Sequence, residues 1–357
     1  MTAKTFVLGL ALLGGSAGAQ QTSAAPPAIA LRVQPDRICA DSRSGYPNFD
    51  LLVRNGSARP ATAVELTARS FDAAGNLLEH RILWQDALSI LGPQRVIAAG
   101  EEGVIFNPFS FESAGRAARI DYQLRFDDGA SASVSIRPEP CATRARLILP
   151  LTGRVLVYDS YDFLSHHRRQ TYQYAEDMRA FGVVDNWYRY GIDLVAIDEA
   201  GGMFKGERAR IEDWYGWGLP VRAAGEGVVV AVRDDMPDNA LGSEDWPRKR
   251  LSEDEMGSDG NYVLIDHGGA EMSCASHLRR GSARVKKGDR VQAGQVIAQI
   301  GNSGATPVPH LHYELRTGWG VKGVRSLPPY FHDLDILGLA PSKEALPVGT
   351  GDVLLPR

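Results

Sequence analysis

The sequence is poor in cysteine, in basic runs and in long apolar stretches, and each scarcity narrows what the chain can be. Three cysteines in 357 residues, Cys39, Cys141 and Cys274, allow one intramolecular disulfide. A formal net charge of −4 with no dense Lys/Arg run gives no footprint for nucleic-acid binding. After residue 19 no apolar run is long enough to cross a bilayer. Histidine is also sparse, yet four of the eight lie between Gly260 and Arg316. Against these scarcities, 44% hydrophobic and 23% charged residues are ordinary for a globular protein, and the length suffices for two cores.

Residues 1–19 read as a secretory signal: Lys4 begins it, Phe6 to Leu13 form a short apolar core, and Ala17-Gly18-Ala19 is a small-residue cleavage site. No cysteine follows that site, which argues against a lipid anchor. A periplasmic or secreted location is expected, with no membrane span after signal removal. In such an oxidising compartment Cys39 and Cys141 are the expected pair, and closing so long a loop contributes about 4–5 kcal/mol on the chain-entropy model. Cys274, three residues before His277, is expected to be a buried thiol, not a nucleophile.

Residues 20–28 are a Ser/Ala/Pro-rich linker. From 29 to 143 short alternating runs such as F-D-L-L-V-R-N-G and I-D-Y-Q-L-R-F recur between turn signals, with Asn55-Gly56 and Asp128-Gly129 as hairpin dipeptides. The pattern predicts an immunoglobulin-like β-sandwich. Its one histidine, His80, reads as a surface residue, so a spacer or a docking surface for a cell-wall protein partner is expected.

The stretch from Gly260 onward predicts a compact antiparallel sheet. In P-H-L-H-Y-E-L-R, His310 and His312 are two apart, so a strand sends both imidazoles to one face. With His277 in C-A-S-H-L they suggest a metal site flanked by acid/base groups.

The ordered segments Y-G-I-D-L-V, G-L-P-V-R-A-A-G-E-G-V-V-V, I-D-H-G, S-H-L, V-K-K-G-D-R-V-Q-A-G-Q-V-I-A-Q-I-G-N-S-G and P-H-L-H-Y-E-L resemble the lysostaphin-type (LytM-like) zinc metallopeptidases, which cut peptide cross-links of peptidoglycan. The likeness runs from about Leu149 to Gly318. It implies a mainly β chain in which the sandwich precedes a lysostaphin-type antiparallel sheet domain over 144–335, with 336–357 as a peripheral tail. It further implies Zn2+ as cofactor, peptidoglycan peptides as substrate, Asp193 and His312 as metal ligands, and His277 and His310 as the proton-handling pair. His267 then belongs to a turn. The long polar segments 199–215 and 234–260 are expected to rim a substrate groove.

One departure stands out. The family's first ligand, a histidine four residues before the aspartate, is replaced by Arg189, whose guanidinium cannot coordinate zinc. Either the domain is degenerate and binds peptidoglycan or activates a partner hydrolase, or another residue supplies the ligand. Some relatives carry an H-H-R segment upstream, which points to S-H-H-R-R at 165–169 and, of its two histidines, to His167 over His166; Asn186 is a weaker oxygen donor. A biotinyl/lipoyl-type hairpin also resembles 285–297, but it would leave H-x-H and Y-G-I-D unexplained.

Overall fold

The computed structural model describes residues 28–40, 45–92, 95–113, 115–243, 251 and 253–357. The segment expected to be an export signal and, apart from Ala28, the expected linker lie outside the described residues. The structure is mainly β, and its sheets are built almost wholly from antiparallel pairs. The longest described helix, Glu176–Phe181, has six residues, so no helix among the described residues is long and apolar enough to cross a membrane.

Two sheets face each other in the first part of the chain. Strands Ile29–Gln34, Asp50–Asn55 and Glu102–Phe106 form one; Leu77–Trp84, Ala61–Phe71, Arg119–Phe126 and Ser131–Ile136 form the other, with Val96–Ile97 at one end. Strand alternation builds the shared core: Ile120, Tyr122, Leu124 and Phe126 point inward, while Asp121, Gln123 and Arg125 do not. Phe49 meets Tyr122 edge-to-face at 5.2 Å between the layers. Asp128-Gly129 makes the expected hairpin, Gly129 taking φ +86°. Asn55-Gly56 does not. Asn55 is buried and its amide holds the carbonyls of Arg59, Ile97 and Ala98, so the chain crosses there to the opposite sheet. Cys39 and Cys141 are joined with their Cα atoms 5.3 Å apart, and Cys274 is a buried free thiol.

The second part of the chain is organised on a ten-stranded sheet. Its order is Arg290–Val291, Gly227–Arg233, Asn261–Asp266, Met272–Leu278, Leu311–Arg316, Ile192–Ala196, Val155–Asp159, Val353–Pro356 and Leu334–Ile336, with Ser326–Leu327 beside Leu311–Arg316. Leu311–Arg316 lies at the centre and is buried along its whole length. Leu311, Tyr313 and Leu315 enter the main core. The alternate face carries His312, Glu314 and Arg316, and the two charged groups pair there: Arg316 donates to Glu314 at 2.7 Å. Part of the segment 234–260 covers this face, with Met256 packed among Tyr262, Leu264 and Cys274.

The segment read as a peripheral tail from residue 336 proves to belong to this sheet. Val353–Pro356 pairs with both Val155–Asp159 and Leu334–Ile336, and Val348 and Leu354 are buried in the main core. Its short V-L-L-P run gave too little periodicity to outweigh its Pro/Gly-rich surroundings. Leu354→Ala is therefore expected to destabilise the protein by about 2–5 kcal/mol. Urea unfolding measures it; a change within about 0.5 kcal/mol, as for a surface site, would place this segment outside the core after all.

Candidate metal centre

The centre grows out of strand register. Asp193 on Ile192–Ala196 sits directly opposite His312 on Leu311–Arg316, and His312 Nδ1 donates to Asp193 Oδ1 at 3.0 Å. His310, two residues earlier, reaches the same oxygen with Nε2 at 3.3 Å, as period-2 geometry requires. His167 arrives from the loop after Val155–Asp159 and brings Nε2 to 3.5 Å from Asp193 Oδ1. One buried carboxylate oxygen is thus ringed by three imidazoles.

Room for that crowding comes from Gly191. A Cβ there would lie 2.8 Å from His312 Cε1 and 3.4 Å from His167 Cγ, so the glycine of Y-G-I-D is a steric requirement of the two rings. His277 is placed differently. It ends strand Met272–Leu278 at an irregular register and takes φ +60°, a strained value for a residue with a side chain. Its backbone N–H donates to Asp259 O and its carbonyl accepts from Gly301, which hold the kink. Because Ser303 O can only accept, His277 Nδ1 carries the hydrogen in their 2.8 Å bond, leaving Nε2 with its lone pair. His310 Nδ1 donates likewise to Val308 O at 2.9 Å. The two rings are 4.9 Å apart.

Charge follows from burial and neighbours. Burial alone would raise the Asp193 carboxyl, but His167 and His310, with the bonds from His310 and His312, outweigh it and hold it well below the usual carboxylate range. His167 is pushed down to about 3, chiefly by burial, so its imidazole is neutral. Burial, with His310 and His312 nearby, also drives His277 well down. Burial works against a charged His312 too, yet Asp193 overrides it and raises the group. His166, mostly exposed, is raised against its desolvation by Asp159, 2.6 Å from its Nδ1.

The donors present fit a zinc ion. His167, Asp193 and His312 offer two imidazoles and a carboxylate, a donor set zinc accepts. His167 Nε2 and His312 Nδ1 both face Asp193 Oδ1, so one ring nitrogen from each histidine converges with the carboxylate. Donors of Asp159, His166, His167 and Asp193 also fall within 4.8 Å of one another. In that second grouping Asp159 is occupied by His166 and by Ser165, which donates at 2.9 Å.

The rest of the expected residues sort clearly. Arg189 turns away from the centre to Asp50. Asn186 is not at the ligands: its Nδ2 donates to His167 O at 2.7 Å and its Oδ1 accepts from Tyr188 N. His267 bonds Glu226 O and Ser273 Oγ within its turn. Cys274 is buried, and desolvation followed by the charge of Asp259 raises its thiol well above normal, which removes it as a nucleophile. Sequence reasoning missed Tyr188, whose ring meets His312 edge-on at 5.2 Å, and Asp159, the carboxylate behind His166 and 3.4 Å from His167 Nδ1. Only the position of Asp159 seven residues before His166 hinted at it.

The histidines open on a cleft of about 590 Å³. Met203, Arg208 and Trp214 wall it on one side, and Leu251, Ser258 and Asp259 on another. Both polar segments expected at a groove rim therefore contribute, 244–250 and 252 lying outside the described residues.

Residues 214–325, which span most of this sheet's central strands, match the model of peptidase family M23. Those residues accordingly carry a peptidase M23 domain; members of that family are zinc metallo-endopeptidases acting on peptidoglycan. The matched residues include His277, His310 and His312 but stop short of His167, Arg189 and Asp193. Among curated relatives, the peptidoglycan DD-endopeptidase ShyA of Vibrio cholerae is 39% identical over 98 residues, 28% of this chain and 17% of its own length. The glycyl-glycine endopeptidase ALE-1 of Staphylococcus capitis is 28% identical over 116 residues, 32% of this chain and 26% of its own. The chain thus spans well under a third of the length of either. Of solved structures, the catalytic domain of lysostaphin from Staphylococcus simulans aligns over 49% of this chain and 88% of its own at 18% identity, with a TM-score of 0.27. A zinc-containing peptidase from Vibrio cholerae aligns over 68% and 88% at 17% identity, with a TM-score of 0.22.

In metal-free protein the two neighbouring histidines should titrate on opposite sides of the usual value near 6.5. NMR titration should show His166 above it and His167 still neutral at pH 5. A normal midpoint for His167 would mean that its ring is solvated instead of buried in the centre.

Proposed function

We propose that the chain is an exported zinc metalloendopeptidase that hydrolyses peptide cross-links of peptidoglycan, with His167, Asp193 and His312 as metal ligands. The observation that carries this reading is His167 at 3.5 Å from Asp193, with its ring 4.7 Å from that of His312. Arg189 has left the ligand set, but a neutral imidazole has entered it, which supports an active domain over a degenerate one. Zinc in that position would act as a Lewis acid on the scissile carbonyl and acidify a water molecule.

The chain's own groups supply the remainder. Asp193 keeps its negative charge in a buried site, so two imidazoles and one carboxylate suit a divalent cation and leave a coordination place facing the cleft. His277 Nε2, with its lone pair fixed by Ser303, is suited to take a proton from the attacking water and return it to the leaving amine. His310, anchored through Nδ1 by Val308, lies beside it to stabilise charge developing on the carbonyl oxygen. Asp159 and His166 flank the ligands and brace His167. The aromatic wall of Tyr158, Tyr172, Trp187, Tyr188 and Trp214 holds an extended peptide against them and limits water. The curated relatives are named for two different peptide bonds, so cross-links of peptidoglycan are assigned as a class.

Purified mature protein should carry about one zinc. His167→Ala, Asp193→Ala and His312→Ala should lose zinc and cross-link cleavage together. His277→Ala and His310→Ala should keep zinc while cleavage falls by about 10²–10⁴-fold, and His166→Ala should keep zinc. Metal analysis beside muropeptide release reads both properties. Zinc loss in the His277 variant would reverse the assigned roles, and full zinc in the His167 variant would remove it as a ligand.

A further inference from the structure

Arg189 has not become idle on leaving the ligand position. It is fully buried and reaches Asp50, on the three-stranded sheet of the first part of the chain, at 2.8 Å from Oδ2. The other carboxylate oxygen, Oδ1, receives Arg168 Nη1, and Arg168 Nη2 donates to Phe49 O. Tyr174 adds a hydroxyl to Oδ2 at 2.6 Å, Asn48 accepts from Arg189 Nη1 at 3.2 Å, and Phe106 lies under the Arg168 guanidinium at 5.3 Å. Asp50, Arg168 and Arg189 have no measurable exposure, so each charge needs buried compensation; Asp50 is the carboxylate both arginines share, and Asp185 lies 3.6 Å from Arg189 as a second.

The two arginines are placed at the ligands' shoulders. Arg168 is the residue after His167. Arg189 stands two residues before Gly191, on whose bare Cα face His167 and His312 meet, and four before Asp193. Asp193 and His312 are fixed by strand pairing, but His167 belongs to a loop with no strand partner. Its backbone carbonyl is held by Asn186, and the polar contacts of its side chain, to Asp159 and Asp193, are long. Beside the Asn186 bond, the side-chain anchorage next along the chain from His167 is the two-pronged, charge-assisted grip of Arg168 on Asp50 and Phe49 O.

We infer that Asp50 is a positioning residue for the metal centre: by binding Arg168 and Arg189 together it sets His167 over Asp193, so zinc affinity of the second part of the chain depends on a carboxylate of the first. This rests on the reading of His167 as a ligand. Partners behind a ligand commonly alter metal affinity by about 10–100-fold.

The test measures zinc dissociation constants by chelator competition on the full mature chain, with circular dichroism confirming the fold, and records the visible spectrum of the Co2+-substituted protein. Asp50→Asn should weaken zinc at least tenfold and perturb the Co2+ bands. In a His167→Ala background, titrated at zinc concentrations high enough to load the weakened site that purification empties, the same change should shift the constant less than twofold, because its route to the metal is gone. Should Asp50→Asn fail to fold, Arg168→Lys, which keeps the charge but loses the two-pronged grip, should give the same selective weakening. Folded Asp50→Asn or Arg168→Lys protein with unaltered zinc affinity, while His167→Ala has lost it, would make Asp50 mere cement between the sheets and overturn the inference. An equal loss with and without His167 would overturn the route through that residue. Full affinity in His167→Ala itself would instead overturn the ligand reading beneath it.

Discussion

A carboxylate buried without counter-charge is too costly to keep, and Asp193 is buried at the middle of a sheet. Its compensation dictates the architecture around it. His312 must lie directly across the strand pair, His310 two residues before it on the same face, and Gly191 must have no side chain so that His167 can close the ring. The central strand then has to be covered on its polar face, which explains why Glu314 and Arg316 pair beneath Met256 instead of meeting water. The chemistry at the cleft inherits its rigidity from these constraints: donors set by strand register are held more exactly in place than donors on a free loop.

What could be read beforehand follows the range of the interactions. His310 and His312 were legible because strand periodicity is local, and Asp193 and His277 because they sit in short motifs with recognisable neighbours. The hairpin at Asp128-Gly129 was legible for the same reason. Asn55-Gly56 shows the limit: the dipeptide permits a tight turn, but the buried amide of Asn55 serves carbonyls up to 43 residues away and sends the chain to another sheet. Arg189 is the sharper case. Its inability to bind zinc was plain from its chemistry, whereas its partner Asp50 lies 139 residues off and no local pattern joins them. The strand at Val353–Pro356 escaped notice because four residues carry little periodicity of their own and gain meaning only from the neighbours they pair with.

The two parts of the chain also differ in how they spend charge. The facing sheets around Phe49 and Tyr122 are held by apolar alternation, with ion pairs such as Arg32–Glu102 left at the surface, where such pairs contribute little. Where these sheets meet the loop bearing His167, the contact is ionic and fully buried. A buried ion pair adds little net stability relative to a well-packed apolar contact, but it tolerates few alternative geometries. The junction thus favours one alignment of the chain's halves over many nearly equal ones.

The pairing of Val353–Pro356 with Val155–Asp159 has a consequence for the order in which the protein is made. Asp159, at the end of that earlier strand, stands behind the ligand loop, while the strand's other edge is closed only from near the chain's far end. Residues 50, 167, 193 and 312 must also find one another across long sequence separations, which makes assembly slow relative to local folding. That edge of the sheet stays open until residues 353–356 have been made, long after the strand they cover.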